Sequence, residues 1–479
     1  MKQKAKRLSA FILTAAIILS LTACSGDNTS VSEGNISSGI SENNTSSDTS
    51  KPQNNTAVEN TGNKVDDTLP QCEPANCYYG SIMKGESGYY YNDVITKQID
   101  IVNYYYSAIC YYDTVTSKSI PLCAKPQCMH DGNDFCVATG GMSNFNSNYL
   151  YNGYIYRLGT EQTDNDNTIK MLRADLLGNE LSKVADVYKE PIVDEYRLSS
   201  LSGNAVFHYG KAFLTLRVFT ESGFENKMFM VDLETGESKQ ISVPSPENQA
   251  TRIKSDCFLT LLADGDWLYY TTREAKWNHP IIRDNAHMTY DKTSLYRYNI
   301  KTGETELISA MPDIYSSFAV NEDIIYYTVT DRKNNTFSFY SYDIASNKTS
   351  TFAENVQMDY IEGKYVSDRK KVTVLTDRSY LYICTQGNSG GTHVKERTEN
   401  VDFYIYDLEG NLLAHGFKGM ESLLDKGKEW NYHFYALNGE IYLYYEGDRK
   451  SNDSGIYTIK TEDLINGSTE WTKLYNPGR

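Results

Sequence analysis

Aromatic and aliphatic residues alternate with polar ones in short segments that recur from residue 76 to the end of the chain. One segment is a turn followed by an aromatic strand, as in "YNGYIYRLG", "ADGDWLYYTT" and "LNGEIYLYYE", and it returns every 55 to 65 residues. The other is a strand, a tight turn and a strand, as in "MFMVDLETGES" and "LYRYNIKTGET". Period-two alternation bounded by turn residues predicts antiparallel hairpins.

Each repeat holds two such hairpins, and the repeat occurs seven times. Four strands joined as a meander form one antiparallel sheet, and sheets repeated radially form a β-propeller. We therefore predict an all-β fold, a seven-bladed β-propeller of four-stranded antiparallel blades at 76–479. A solenoid of stacked hairpins is the alternative, because it is also built from repeats. Blades 1 and 7 each supply four strands of their own, so no exchanged strand is predicted to close the ring.

The first 24 residues have the pattern of a secretion signal. Four basic residues precede the apolar run "LSAFILTAAIILSL", which is too short to span a membrane. The "LTAC" that follows resembles a bacterial lipobox, whose cysteine is acylated and becomes the new N-terminus. We expect a lipoprotein signal peptide at 1–23 and a palmitate-type anchor on Cys24, which would hold an extracytoplasmic protein on the bacterial cell membrane. An ordinary secretory signal is the alternative.

Residues 24–75 comprise the lipidated cysteine and a linker rich in Ser, Thr, Asn and Gly. Such a segment buries too little apolar surface to fold, so we predict a disordered tether. The chain has 46 basic and 62 acidic residues, and the signal peptide removes four bases and no acids, so the formal charge falls from −16 to −20. This charge opposes binding to nucleic acid and to anionic lipid headgroups.

Six cysteines are close together in the sequence and are predicted to form a structural clasp where blade 1 joins blade 2. They are Cys72, Cys77, Cys110, Cys123, Cys128 and Cys136. An even, clustered number outside the cytoplasm favours disulfides. A hairpin turn centred between Thr116 and Ser117 would place Cys110 opposite Cys123.

A structural zinc site is the alternative for the same stretch, "PLCAKPQCMHDGNDFC". Its ligands would be Cys123, Cys128, His130 and Cys136, although one residue between 128 and 130 leaves little room. Catalytic metal or redox use is a third interpretation, and the absence of a C-x-x-C pair counts against it. No other cofactor is predicted.

The lipobox, the tether, the repeats "NGxIYY" and "YxxDLxTGE", and the stretch "LCxKPxCxHDxxxxC" together resemble the Tyr-rich β-propeller lipoproteins of clostridial-type bacteria. The likeness covers essentially the whole mature chain. It implies a propeller outside the cytoplasm, and it implies no activity, because that group is built around a domain of unknown function. A looser resemblance links the chain to outer-membrane assembly scaffolds and to the propeller domain of prolyl oligopeptidases.

The connections between the second and third strands of the blades are longer than the other turns. Function in scaffolded folds concentrates in such loops. The longest, at 272–293, carries Trp277, His279, His287 and Tyr290, whose side chains suit a sugar or a peptide. A self-packed loop is the alternative.

No paired carboxylates, nucleophile with its base, or phosphate-binding loop can be identified, so no catalytic residue is assigned. We expect a non-catalytic cell-surface protein whose propeller binds an envelope protein or a glycan on its loop face. A glycan-active enzyme with its site at the central channel and an envelope assembly scaffold are the alternatives.

Overall fold

A computed structural model describes much of the chain after residue 67. The described residues are 68–71, 82–99, 102–130, 136–140, 148–163, 166–191, 200–220, 223–242, 261–277, 288–311, 318–331, 334, 336–357, 370–387, 401–420, 432–445 and 455–475. All of them belong to one unit, Gly62–Arg479. None of them forms a helix with the length and apolarity needed to cross a membrane. The signal peptide, Cys24, Cys72, Cys77, His279 and His287 lie outside these residues.

The strands form seven four-stranded antiparallel sheets, each in chain order, which confirms the seven-bladed β-propeller. Strands are called a, b, c and d within each blade. Blade 1 is β1 (Ile82–Lys84), β2 (Gly88–Ile99), β3 (Val102–Asp113) and β4 (Lys118–Pro121); blade 2 is β5 (Asn148–Tyr151), β6 (Tyr154–Gln162), β7 (Asp166–Asp175) and β8 (Leu181–Pro191); blade 3 is β9 (Ser200–His208), β10 (Lys211–Thr220), β11 (Gly223–Asp232) and β12 (Ser238–Ile241). Blade 4 is β13 (Leu261–Asp264), β14 (Trp267–Trp277), β15 (Met288–Asn299) and β16 (Thr305–Met311); blade 5 is β17 (Phe318–Asn321), β18 (Ile324–Asp331), β19 (Thr336–Asp343) and β20 (Lys348–Gln357). Blade 6 is β21 (Lys370–Thr376), β22 (Leu381–Gly387), β23 (Val401–Tyr406) and β24 (Leu412–His415); blade 7 is β25 (Tyr432–Leu437), β26 (Glu440–Tyr445), β27 (Gly455–Lys460) and β28 (Thr472–Tyr475).

Blade 7 departs from the repeat at its last hairpin. The sequence "GIYTIKTEDLI" predicts a strand, a turn and a strand, but only Gly455–Lys460 is a strand. Thr461–Ile465 forms a short helix, α1, and the d strand follows at Thr472–Tyr475. Leu464 on α1 is fully buried, so the helix fills the apolar space that a regular hairpin would fill.

The repeated aspartate of the c–d turns explains why these hairpins are tight. In blade 3, Asp232 accepts hydrogen bonds from the backbone N–H groups of Glu234 and Thr235, at 3.1 and 2.9 Å. Gly236 then has a φ of 74°, which glycine adopts without steric cost. The carboxylate therefore accepts hydrogen bonds from N–H groups of the turn that have no backbone carbonyl to bind.

Tyrosines of the second strands join each blade to the next, which accounts for the Tyr-rich repeats. Tyr269 of blade 4 is 1% exposed and donates its hydroxyl to Asp323 of blade 5 at 2.9 Å. Tyr382 of blade 6 bonds Thr461 of blade 7 at 2.9 Å. An aromatic ring fills the space between the sheets, while its hydroxyl reaches a polar partner on the neighbouring blade.

Blades 1 and 7 meet where the ring closes, and among the described strands none is exchanged between them. Tyr89 and Tyr442 meet edge to face with their ring centroids 5.8 Å apart. Lys84 pairs with Glu440 at 2.8 Å beside them. One apolar cluster contains these two tyrosines together with Cys110 of β3 and Cys136 of the segment after blade 1. Side-chain packing therefore holds this seam.

In blades 1 and 4, the second and third strands stay paired beyond the ends of their blade neighbours. In blade 1, β1 pairs with β2 only as far as Tyr91, and β4 pairs with β3 only from Cys110, so the hairpin projects beyond them by about 25 Å. In blade 4, β14 and β15 remain paired out to Trp277 and Met288. We call these two projections the b–c ribbons.

Candidate functional site

The chain makes an excursion between blades 1 and 2 that begins and ends at one residue of β3. The backbone N–H of Leu122 donates to the carbonyl of Ile109 at 2.9 Å, and the N–H of Ile109 donates to the carbonyl of Ala138 at 3.0 Å. Ala124 meanwhile donates to Gly178 in the c–d turn of blade 2 at 2.9 Å. The excursion thus starts and returns at the outer edge of blade 1, against blade 2.

Three cysteines and a histidine of this excursion converge. The ligand atoms of Cys123, Cys128, His130 and Cys136 all lie within 4.8 Å of one another, and His130 Nδ1 is 3.3 Å from Cys136 Sγ. Left-handed backbone at Gln127 and His130, with φ of 59° and 48°, turns the chain on both sides of Cys128. The short 128–130 spacing is accommodated in this way. A tetrahedral zinc site has sulfur atoms about 3.8 Å apart, so a small contraction would complete it.

Backbone N–H groups point at the sulfur atoms. Thr139 donates to Cys136 Sγ at 3.4 Å. Burial raises the pKa of the Cys123 thiol, but hydrogen bonds from the N–H groups of Lys125 and Val137 and from the thiols of Cys128 and Cys136 together outweigh burial, so this pKa lies below its usual range. Burial raises the pKa of Cys128 to about 11, and the two neighbouring thiols add to that rise. Three thiolates so close together need a cation to coexist.

The predicted disulfides are not present among the described cysteines, and those that would involve Cys72 or Cys77 remain a prediction. Cys123, Cys128 and Cys136 form no disulfide with one another, and Cys72 and Cys77 lie outside the described residues. The predicted pairing of Cys110 with Cys123 across the hairpin is wrong, because Cys110 faces Pro121. The turn is centred one residue earlier than predicted, where Asp113 accepts the N–H of Val115 at 2.9 Å.

Arg157 lies behind the cluster and was not identified from the sequence. It belongs to β6 of blade 2 and is 1% exposed. Its guanidinium donates to the carbonyls of Val137 and of Ala138, the latter at 3.3 Å. Burial lowers its pKa to about 10, while charge on Cys136 acts in the opposite direction. One sequence signal could have revealed Arg157. It is an arginine at a position of the repeat where other blades have apolar or aromatic residues.

A polar cavity of about 500 Å³ opens on the opposite side from the b–c ribbons, where the a–b turns of blades 4, 5 and 6 meet. It is lined by Gln71, Asp264, Gly265, Asp266, Trp267, Glu322, Asp323 and Arg378. Arg378 pairs with the buried Asp264 at 2.8 Å. The guanidinium of Arg297 lies 4.0 Å from the Trp267 ring centre and pairs with Asp323 at 3.0 Å. We call this cavity the axial pocket.

Residues 68–71, which fall inside the predicted linker, pack on the same side of the propeller. The Pro70 carbonyl accepts the Tyr151 hydroxyl at 2.7 Å and the Tyr209 N–H at 3.0 Å. Arg378 donates to the side-chain oxygen of Gln71 at 3.4 Å. The segment therefore contacts blades 2, 3 and 6 and contributes to the axial pocket.

The four predicted ligand-binding residues remain a prediction. Trp277 ends β14, and Tyr290 lies near the start of β15, opposite Ala275. Both belong to the blade 4 ribbon. His279 and His287 lie outside the described residues.

No protein-family model and no curated protein sequence matches the chain. Among solved structures, it is similar to an acylaminoacyl peptidase of Pyrococcus horikoshii at 12% identity and a TM-score of 0.40, over 69% of this chain and 45% of that one. It is also similar to the propeller domain of the trilobed protease of Pyrococcus furiosus, at 12% identity and TM-score 0.43, over 86% and 100%. A third is a polysaccharide lyase, an ulvan lyase, at 9% identity and TM-score 0.42, over 84% and 96%. The chain thus spans less than half of the first peptidase, and at these identities the likeness concerns the fold alone.

Proposed function

We propose that the protein is a lipoprotein of the bacterial cell surface whose propeller binds an envelope protein or a glycan without catalysis. The anchor is the acylated Cys24, and the clasp between blades 1 and 2 holds a structural zinc ion at Cys123, Cys128, His130 and Cys136. The lipobox and the repeats, which resemble those of Tyr-rich propeller lipoproteins, support this proposal.

The b–c ribbons are the observation that supports binding. They project from blades 1 and 4 on one side of the propeller, beyond the a and d strands described there. A two-stranded ribbon offers unpaired backbone groups along its edges and side chains on both faces, which suits contact with a partner. Trp277, at the end of one ribbon, would give large contact area at small entropic cost.

The experiment uses the mature chain carrying Cys24→Ala, which is free of lipid. Its binding to a glycan array and its cross-linking to envelope proteins are compared with those of a Trp277→Ala, Tyr290→Ala variant. We expect the double variant to lose most of the retained ligand. Leu177→Ala is the matched control, because Leu177 is 76% exposed on a c–d turn at the opposite side. Equal loss in the control, or unchanged binding in the double variant, would reject the ribbon as the binding site.

The axial pocket favours one alternative, a glycan-active enzyme at the central channel. Its carboxylates and indole are groups that contact sugars, and its volume admits a small saccharide. Burial, and next the Asp323 carboxylate, raise the pKa of Tyr269, so that hydroxyl stays protonated and donates to Asp323. Release of new reducing ends from envelope glycans, abolished by Glu322→Gln, would establish this activity. Glycans that remain intact would leave binding as the function.

A further inference from the structure

Arg157 is a buried cation with no carboxylate partner among the described residues. Its side chain is 1% exposed; within the described part of the chain its Nε has no hydrogen-bond partner, and its terminal nitrogens donate to the carbonyls of Val137 and Ala138. The structurally equivalent positions of other blades hold apolar or aromatic residues such as Leu214, Tyr270 and Ile383. Burying a charge is costly unless a counter-charge is near, so we expect an anion close to the guanidinium of Arg157.

We propose that Arg157 is the counter-charge of a zinc–thiolate centre formed by Cys123, Cys128, His130 and Cys136. The inference rests on the zinc of the proposed function and adds its charge and its buried partner. A zinc ion bound by three thiolates and one neutral imidazole carries one net negative charge. Arg157 carries one positive charge, so the buried unit is neutral. The guanidinium is fixed to the two residues that follow the ligand Cys136, which holds it beside that thiolate.

This charge balance distinguishes the zinc centre from disulfides. Disulfide sulfurs are uncharged, so oxidation of these cysteines would leave Arg157 buried without an anion. Three thiolates without an arginine would leave the zinc centre negative in an apolar cluster that includes Cys110 and Tyr112. Thiolates and Arg157 together satisfy both requirements.

The centre also joins two blades. Its ligands belong to the excursion after blade 1, whereas Arg157 belongs to β6 of blade 2. Outer partners of this kind orient the residues that bind the metal, and their replacement commonly weakens metal binding by about 10–100-fold. We therefore assign Arg157 as a positioning residue for the metal.

The test measures the zinc dissociation constant of the mature protein by competition with a chromophoric chelator. Arg157→Met should weaken zinc binding by about 10–100-fold. Arg157→Lys, which keeps the charge, should restore most of the affinity. Arg173→Met is the matched control, because Arg173 is a half-buried arginine of the same blade that lies over Tyr154, and it should leave the affinity unchanged. Absence of zinc from the wild-type protein would reject the zinc itself, whereas zinc bound equally by wild type and Arg157→Met would reject only the role of Arg157.

A change in the charge of the centre separates electrostatics from packing. Cys123→His makes the zinc centre neutral, so adding Arg157→Met in this background should weaken zinc binding little. His130→Cys makes the centre more negative, so adding Arg157→Met there should weaken zinc binding more than it does in the wild-type background. Cobalt absorption in the visible range confirms tetrahedral coordination in each background. If Arg157→Met does not fold, Arg157→Gln, which is polar and neutral, replaces it in the cycle. The same loss of affinity in all three backgrounds would show that Arg157 acts by packing and would overturn the proposal.

Discussion

Replacement of Tyr442 should open the propeller at the seam between blades 1 and 7. Tyr442 lies on β26, is 1% exposed, and packs edge to face against Tyr89 across the seam. Its hydroxyl donates to Glu440, which in turn pairs with Lys84 of blade 1. Because no described strand is shared between the two blades, the apolar cluster that contains this ring, together with the ion pair, holds the seam.

Two substitutions at this position separate the aromatic ring from the hydroxyl. Tyr442→Ala removes a buried aromatic side chain and should lower the free energy of unfolding by about 3–5 kcal/mol. Tyr442→Phe removes one hydrogen bond, to a carboxylate that keeps its lysine, and should cost about 1 kcal/mol. Urea unfolding followed by tryptophan fluorescence measures both. The control is Tyr154→Ala, a tyrosine that is 37% exposed on blade 2, which should cost about 1 kcal/mol or less. The reasoning fails if Tyr442→Ala costs no more than this control.

Three further predictions concern acid sensitivity, a blade contact and the anchor. His208 is fully buried, with Nε2 2.7 Å from the Gly265 carbonyl, and burial lowers its pKa below the usual 6.5. The unfolded chain therefore binds a proton at this histidine more readily than the folded chain does. The free energy of unfolding should fall as pH drops below about 6.5. Urea midpoints measured across this pH range should fall less steeply in His208→Gln than in the wild-type protein. A Cβ on Gly178 would lie 2.8 Å from the backbone nitrogen of Cys123, whereas Gly153 has a similar φ and open space around it. Gly178→Ala should therefore lower the free energy of unfolding more than Gly153→Ala does. Equal losses would contradict a close contact between the excursion and blade 2. Cys24→Ala should release the folded protein into the medium, and a variant that stays with the membrane would count against lipidation.

The repeats predicted the blades because the hairpin signals are local. Alternation and turn residues such as Asp232 and Gly236 act within about ten residues, and the structure places the second strand of every blade where the aromatic pattern predicts it. The register of the blade 1 hairpin at Cys110 was harder to predict from the sequence. "DTVTSKS" offers several turn centres, and the hydrogen bonds that the Asp113 carboxylate accepts from the Val115 N–H and the Thr116 hydroxyl select the earlier one.

The candidate metal site was only partly predictable. The four candidate ligands stand close in sequence, but the choice between disulfides and zinc depends on backbone conformation at Gln127 and His130. The choice between disulfides and zinc depends equally on Arg157. In the sequence "YIYRLG" this arginine is an ordinary strand residue, and only its burial and its contacts distinguish it. The b–c ribbons were missed because their sequences lack turn residues at the point where the neighbouring strands end, so nothing local indicated that pairing continues.

Intact mass measured under native and denaturing conditions tests the clasp most directly. Purified mature protein is alkylated after denaturation with a chelator and without reductant, and its peptides are then mapped. We predict one zinc per chain under native conditions and full alkylation of Cys123, Cys128 and Cys136. A zinc-free mass together with disulfide-linked peptides that contain these cysteines would contradict the account.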